Sequence, residues 1–222
     1  MTAESDPDPD PVATTRATYE RVAAGYEARN AAVPAELAAR RDEWAAMLPR
    51  TAGGPARVLD AGCGPGWHAA AFAGAGLRAV ALDLASAMAA LARGRGVPVV
   101  RGDLRRLPFA DRAFGGVWSS AALLHVPRAD VPATLAEWRR VTADGGLLAL
   151  STATGAADGW EEAPYDRGGG GGGGDDGPAL RWFVFHEPDA LCALLAGAGW
   201  RVTSVGVARA QRVWVDVRAV AA

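Results

Sequence analysis

Hydrophobic and polar positions follow a repeating order from about residue 56 onward. Short apolar runs alternate with segments of helical spacing; the runs are ARVLDAG (56–62), RAVALD (78–83), VPVVRGD (97–103), GGVWSSA (115–121) and LLALSTA (147–153). Continuous apolar runs are typical of parallel strands buried on both faces, and parallel strands need crossover helices. The pattern therefore predicts an α/β fold, with a parallel sheet covered by helices on both sides.

The C-terminal end breaks this alternation. Residues 187–200 predict a helix that ends at a glycine, and two strands follow at 201–207 and 212–220. The few residues between these strands allow only an antiparallel pair, because a parallel crossover takes about a dozen residues or more. We expect the sheet to finish with an antiparallel strand.

The chain divides into three parts by composition. Residues 1–13 are acidic and proline-rich and predict a disordered tail, whereas 14–50 have helical spacing and predict an N-terminal helical cap. The remainder, 51–222, forms one domain with a flexible glycine-rich insert at 155–180. This insert contains seven consecutive glycines, Gly168–Gly174, which cannot hold a fixed backbone cheaply.

Composition narrows the classes of function. The 222 residues are 50% hydrophobic and carry a net charge of −2, with no lysine. A near-neutral chain without a basic tract is a poor nucleic-acid binder. Cys63 and Cys192 form no CxxC pair, and neither a signal peptide nor an apolar run of membrane-spanning length is present. We expect a cytoplasmic protein with no metal site and neither a nucleic-acid nor a membrane partner.

The segment VLDAGCGPGWHAA (58–70) joins the first predicted strand to a helix through a glycine turn. Gly62, Gly64 and Gly66 form a GxGxG pattern, which several nucleotide-binding folds share and which is weak evidence alone. Asp83 ends the second strand, where a carboxylate can accept both hydroxyls of a ribose. These features fit NAD as well as S-adenosylmethionine (SAM).

Two further carboxylates favour SAM. Asp60 stands just before the glycines, where it can meet a cationic amino group but would repel a pyrophosphate. Asp103 ends the third strand, where it can accept from the exocyclic amine of adenine; capping of the following turn is the alternative. Three carboxylates suit a ligand that carries an ammonium and a sulfonium.

Five segments in order resemble the motifs of the class I SAM-dependent methyltransferases, in particular the small single-domain type 11 group. They are VLDAGCGPG, VALDLASAM, GDLRRLPFADRAF, SSAALLHV and DGGLLALST. The resemblance implies a Rossmann-like three-layer sandwich, a seven-stranded and mostly parallel sheet with an antiparallel last strand, and SAM as cofactor. Gly115 and Gly116 stand where this family usually has an acidic residue.

The resemblance also implies further cofactor contacts. The first turn and the strand ends would contribute Cys63, Leu84, Leu104 and Ser119, with Leu104 acting through its backbone N–H. The family's N-terminal helix folds over the pocket and would bring Tyr19 to the cofactor. Ordinary packing remains the alternative for Tyr19 and Cys63.

His125 lies at the end of the fourth predicted strand, in ALLHVP. Carboxyl ends of strands line the ligand crevice in open parallel sheets. A histidine there, with a usual pKa of about 6.5, can take a proton from a phenol or hydroxyl at neutral pH. The alternative is a histidine that only packs against the methionine end of the cofactor.

The predicted function is in-line methyl transfer from SAM to a small-molecule acceptor, with His125 as the candidate catalytic residue. Two other functions stay open. A SAM-binding regulatory protein without catalysis would keep the same pocket, because this chemistry obliges no particular catalytic residue. A nicotinamide-dependent oxidoreductase shares the architecture, but a chain without lysine cannot supply its usual Ser/Tyr/Lys set.

Overall fold

The computed structural model describes residues 9–48, 54–155, 157–165, 177–210 and 212–222. In that part of the chain, seven strands form the main sheet in the order β3-β2-β1-β4-β5-β9-β8. Their bounds are β1 Arg57–Ala61, β2 Arg78–Asp83, β3 Val99–Arg101, β4 Phe114–Ser120, β5 Thr142–Thr154, β8 Trp200–Arg209 and β9 Val213–Ala221.

Strand direction confirms the predicted fold class. Strand β1 pairs in parallel with β2 and β4, β2 pairs in parallel with β3, and β4 pairs in parallel with β5. Strand β9 runs antiparallel to both β5 and β8. The sheet is therefore mostly parallel with an antiparallel last strand, as in the Rossmann-like sandwich.

Helices cover both faces of the sheet. They are α1 Pro11–Asn30, α2 Ala35–Ala46, α3 Trp67–Gly74, α4 Ser86–Gly94, α5 Val131–Val141 and α6 Pro188–Gly197. Alternate residues of each strand face opposite layers. Leu59 packs with α5 and α6 in one buried cluster, whereas the preceding Val58 packs with α2, α3 and α4 in another.

The N-terminal helix begins earlier than the sequence indicated. Its first residue is Pro11 rather than Thr14, because the Asp10 side chain accepts hydrogen bonds from the N–H groups of Val12 and Ala13 at 2.9 and 3.3 Å. A carboxylate in this position satisfies N–H groups that have no partner within the helix. None of the described helices is long and apolar enough to cross a membrane.

A second, two-stranded antiparallel sheet was not predicted. It pairs β6 (Gly159–Glu162) with β7 (Leu180–Phe183), and β6 lies inside the predicted flexible insert at 155–180. The hairpin is joined to the domain by the N–H of Val184, which donates to the carbonyl of Leu124 at 2.7 Å. The glycine run Gly168–Gly174 lies outside the described residues.

Candidate cofactor and acceptor site

The glycine turn after β1 contains two glycines that packing requires. A Cβ atom at Gly62 would lie 2.3 Å from the Cβ of Ala122, and one at Gly66 would lie 2.7 Å from the Cβ of Ala92. Gly64 differs, since a Cβ there would meet only the ring of Tyr26, at 4.0 Å. The turn is therefore closed at Gly62 and Gly66 and approachable at Gly64.

Asp83 fixes this turn from the end of β2. Its Oδ2 accepts from the N–H of Gly64 at 2.8 Å, and its Oδ1 accepts from the N–H of Ala85 at 2.9 Å. Burial raises the pKa of Asp83 even though these hydrogen bonds oppose the rise. A carboxylate has about four acceptor sites, so this group retains capacity for a further donor. A pair of neighbouring hydroxyls fits this arrangement.

Asp60 lies beneath the same turn, with 1% of its surface exposed. Its Oδ2 accepts from the N–H of Ala69 at 3.0 Å and so caps the first turn of α3. Burial raises its pKa to about 7. A nearby cation would stabilise the charged form of this carboxylate. Asp60 therefore supports α3 and also suits the ammonium that the sequence analysis assigned to it.

Asp103 is held by Arg105. The guanidinium bonds both carboxylate oxygens, with Nη2 to Oδ2 at 2.8 Å, and the N–H of Arg105 donates to Oδ1 at 2.9 Å. Burial alone would raise the pKa of Asp103, but the hydrogen bonds from Arg105 lower it overall. Asp103 thus caps the turn that follows it, which is the alternative raised by its sequence position. An adenine amine would share this carboxylate with Arg105.

Several other predicted cofactor residues hold the scaffold. Ser119 is 1% exposed and its hydroxyl donates to the carbonyl of Ala61 at 3.1 Å, which ties β4 to the end of β1. The carbonyls of Leu104 and Leu84 accept from Trp138 at 3.1 Å and Arg101 at 3.3 Å. A contact between these residues and a cofactor would therefore use their remaining backbone groups.

Cys63 is buried within the glycine turn, and its thiol lies 3.3 Å from the carbonyl of Gly64. Burial raises the pKa of this thiol well above its usual value, and the charges of Asp60 and Asp83 add to the effect. The side chain is therefore a neutral thiol at physiological pH. It packs in the turn, which agrees with the packing alternative.

The N-terminal helix α1 is attached across the carboxyl edge of the sheet. The carboxylate of Glu20 accepts from the N–H groups of Ser86 and Ala87 at 2.7 and 2.8 Å, and so caps α4 from another element. Ser86 is the first residue of this helix, which has no side-chain cap of its own. Glu27 adds an ion pair with Arg95 at 2.6 Å. These contacts hold α1 beside the end of β2.

Tyr19 and His125 meet on the inner side of α1. His125 lies in a 3-10 turn, Leu123–His125, rather than at the end of β4, which stops at Ser120. Its Nδ1 is 2.7 Å from the carbonyl oxygen of Trp182 and its Nε2 is 2.9 Å from the hydroxyl of Tyr19. A carbonyl only accepts, so Nδ1 carries the proton and Nε2 accepts from the Tyr19 hydroxyl.

Burial of this pair changes its acid–base properties. Burial lowers the pKa of His125 to about 4, and the hydrogen bond to Trp182 offsets only part of the effect. Burial likewise raises the pKa of Tyr19. Both groups are therefore neutral at physiological pH, with the lone pair of Nε2 directed at the Tyr19 hydroxyl.

Aromatic rings line the space between α1 and the hairpin. Tyr26 stacks on Trp67 at 6.0 Å between ring centroids and meets Tyr165 edge-on at 4.9 Å. Arg181 of β7 lies among these rings and contacts Tyr19. Sequence reasoning missed Arg181 and Tyr165. For Arg181 the available signal was the short apolar run ALRWF (179–183), which is interrupted by this one charge.

Comparisons with known proteins match the glycine turn and its neighbouring strands to a methyltransferase domain. A family described as "Methyltransferase domain" matches residues 59–150, which run from β1 into β5. The chain is 40% identical over 104 residues to a malonyl-[acyl-carrier protein] O-methyltransferase of Erwinia pyrifoliae, covering 46% of this chain and 39% of that protein. It is also 36% identical over 168 residues to a demethylmenaquinone methyltransferase of Parafrankia sp., covering 65% of this chain and 63% of the relative.

A solved structure extends the likeness across the fold. Magnesium protoporphyrin IX methyltransferase from Synechocystis, with bound SAM, superposes with a TM-score of 0.70 at 15% identity. The alignment covers 98% of this chain and all of that one. By contrast, the chain spans about two fifths of the length of the first curated relatives that it matches. Residues 59–150, which contain the glycine turn and run from β1 into β5, therefore match a methyltransferase domain, and the order of the strands is that of the Rossmann-like SAM-dependent methyltransferases.

Proposed function

We propose that this protein transfers the methyl group of SAM to a small-molecule acceptor. The observation that carries the proposal is the contact between Asp83 and Gly64, because it joins a carboxylate with spare acceptor capacity to the approachable part of the glycine turn. The curated relatives named above are methyltransferases, which supports the same reaction.

The cofactor would lie along the carboxyl ends of β1, β2 and β3. Asp83 would accept from the ribose hydroxyls, Asp60 would attract the ammonium, and Asp103 would accept from the adenine amine. Gly64 allows close backbone approach, and Leu84 and Leu104 contribute backbone groups. When bound, SAM supplies a methyl group on a sulfonium, which is a good leaving group.

The contribution of the protein is mainly alignment. Holding the acceptor atom, the methyl carbon and the sulfur in line can supply about 7–11 kcal/mol of the barrier. Helix α1 and the hairpin β6–β7 cover the site and would exclude water from it. Their mutual contacts support this role, because the hydroxyl of Thr18 on α1 donates to the carbonyl of Leu180 on β7 at 2.5 Å.

His125 would serve as the base for an acceptor atom that carries a proton. Since its Nε2 accepts from Tyr19, the proton of the acceptor would pass to the Tyr19 oxygen while the Tyr19 proton moves to Nε2. This relay leaves His125 protonated and Tyr19 neutral. The neutral state of His125 at physiological pH, caused by burial, keeps Nε2 available to accept.

The test is incubation of the purified protein with SAM and a panel of small molecules. We expect release of S-adenosylhomocysteine (SAH) together with a product heavier by one methyl group in mass spectrometry. Binding of SAH without turnover on any acceptor would favour the regulatory alternative. The proposal also includes a cytoplasmic location and no nucleic-acid partner, on the basis of the reduced cysteines and the near-neutral charge.

A further inference from the structure

Arg181 is a buried charge without a carboxylate partner among the described residues. Only 6% of its surface is exposed, and its Nε has no hydrogen-bond partner. An arginine side chain remains charged in proteins, and a buried charge is costly unless it is paired. The structure therefore retains a guanidinium here at the expense of stability.

The nearest carboxylate across the hairpin is already engaged. Glu161 is the cross-strand partner of Arg181, but both of its oxygens bind Arg212, at 3.0 and 2.6 Å. Two guanidinium groups, Arg181 from β7 and Arg212 from the connection between β8 and β9, are thus present for one carboxylate. The positive charge of Arg181 is therefore available to an anion other than the described carboxylates.

The surroundings of Arg181 are aromatic rings rather than a carboxylate. Its guanidinium carbon lies 5.9, 5.4 and 4.9 Å from the ring centroids of Tyr19, Tyr165 and Phe183. Its Nη1 donates to the Tyr19 hydroxyl at 3.3 Å. The face of an aromatic ring attracts a cation. It does not accept hydrogen bonds from all of the N–H groups in the plane of the guanidinium. The N–H groups that remain require an oxygen acceptor.

Arg181 lies on the acceptor side of the site. Tyr26 is the α1 residue that approaches the glycine turn. Tyr19 lies about two helical turns earlier on the same face of α1 and contacts His125 and Arg181. Arg181 thus contacts the tyrosine that bonds the candidate base, whereas Tyr26 is the residue that meets Gly64. An anion held by Arg181 would lie beside the Tyr19 hydroxyl, the oxygen that receives the proton of the acceptor in the proposed relay.

We propose that Arg181 binds a carboxylate of the methyl acceptor. The inference rests on the proposed function and narrows its substrate class to carboxylic acids with an apolar or aromatic body, which the walls of Tyr165 and Phe183 would contact. Paired N–H groups of a guanidinium match the two oxygens of a carboxylate. The carboxylate of the cofactor itself is the other source of this chemistry, and the experiment separates the two.

The first arm compares acceptors in matched pairs, each a carboxylic acid and its primary amide, by SAH release. We expect turnover of acids and not of their amides. Arg181→Gln should lower kcat/KM about 100-fold, chiefly through KM, because a charge-assisted bidentate contact is lost. Arg181→Lys should retain an intermediate value. The control Arg201→Gln removes an exposed arginine on β8 and should change nothing.

The second arm measures SAH affinity of the same variants by calorimetry. We expect the Kd for SAH to change less than threefold in Arg181→Gln and Arg181→Lys. A tenfold or greater loss would assign Arg181 to the cofactor carboxylate and overturn the inference. Melting temperatures close to that of the wild type establish that the variants fold. If Arg181→Gln does not fold, both measurements are made on Arg181→Lys.

The outcomes separate this inference from the proposed function. Failure of the wild type to bind SAH contradicts both. Binding of SAH with equal turnover of acids and amides, or an unchanged KM in Arg181→Gln, overturns only the carboxylate site. If no acid in the panel is methylated, and benzoate does not bind the SAH-loaded protein at millimolar concentration in ligand-observed NMR, the inference is also overturned.

Discussion

The hydroxyl of Tyr19 lies 2.9 Å from Nε2 of His125, and this contact joins the N-terminal helix to the turn after β4. The same hydroxyl receives a hydrogen bond from Arg181, so one oxygen links α1, the domain and the hairpin. The position of α1 is thereby coupled to the position of the candidate base. Acceptor binding and proton transfer would use the same small group of atoms.

His125→Ala should lower kcat about 100-fold for an acceptor that reacts at a hydroxyl or phenol, because a positioned base is lost. Tyr19→Phe keeps the ring but removes the relay oxygen and should have a similar effect. The control Tyr26→Phe changes a neighbouring phenol that is not bonded to His125. Single-turnover rates and the Kd for SAH separate chemistry from cofactor binding.

The pH profile gives this pair a second readout. Since burial lowers the pKa of His125 to about 4, the wild-type kcat, measured at saturating SAM, should stay nearly constant from pH 7 to about 5 and fall only closer to 4. A histidine in water would lose its basic form near 6.5. Near-wild-type kcat in His125→Ala, or the same fall near pH 4 in that variant, would leave His125 with a packing role only.

Asp83→Ala should weaken SAH binding by more than tenfold, about 1.4 kcal/mol. Hydrogen bonds between a carboxylate and ribose hydroxyls contribute about 1.5–3 kcal/mol, and the variant also frees the N–H of Gly64. Asp42→Ala, at an exposed position on α2, is the matched control. Calorimetry decides the matter, and an unchanged Kd in a folded Asp83→Ala protein would remove Asp83 from the cofactor site.

Because the pKa of Asp60 is raised, we expect the affinity for SAH to depend on pH. The pKa of Asp60 is raised to about 7, so the carboxylate that attracts an ammonium becomes protonated as the pH falls through that value. The Kd for SAH should therefore rise between pH 7.5 and 6, by up to about tenfold per unit at the acid end. Asp60→Asn should abolish this dependence. Adenosine, which lacks the ammonium, should bind independently of pH, and the same slope for both ligands would contradict the assignment.

Because the pKa of His186 is lowered, we expect the folded protein to lose stability in mild acid. His186 is 1% exposed, and burial lowers its pKa to about 4, with Arg128 adding to the effect. Between about pH 6.5 and 4 the unfolded chain binds a proton that the folded chain does not, so stability falls as the pH falls. His186→Phe should reduce this slope by about 1.4 kcal/mol per pH unit. Urea unfolding of both proteins at pH 7, 6 and 5 measures this slope. If the free energy of unfolding falls equally with pH in the wild type and in His186→Phe, His186 is not the cause.

The sequence predicted the parts of the fold that local pattern determines. Buried parallel strands and the glycine turn produce long, unambiguous signals, so β1, β2, the turn and Asp83 lie where expected. The hairpin β6–β7 was missed because each of its strands has four residues and a long glycine-rich segment separates them. Short strands far apart in sequence leave little periodicity to detect.

The acceptor side of the site depends on contacts between distant segments. Glu20 caps α4 from 66 residues away, and His125 is oriented by the carbonyl of Trp182, 57 residues away. Arg181 becomes significant only when Glu161 is seen to bind Arg212 instead. Local sequence patterns carry no information on such pairings, so the acceptor pocket could not be predicted although the cofactor turn could.

Calorimetric titration of the purified protein with SAH and with NAD tests the central claim most directly, because both ligands fit a glycine turn followed by an acidic strand end. Asp60, Asp83 and the approachable Gly64 predict saturable one-to-one binding of SAH and no measurable binding of NAD. Saturable binding of NAD with no response to SAH would contradict the account.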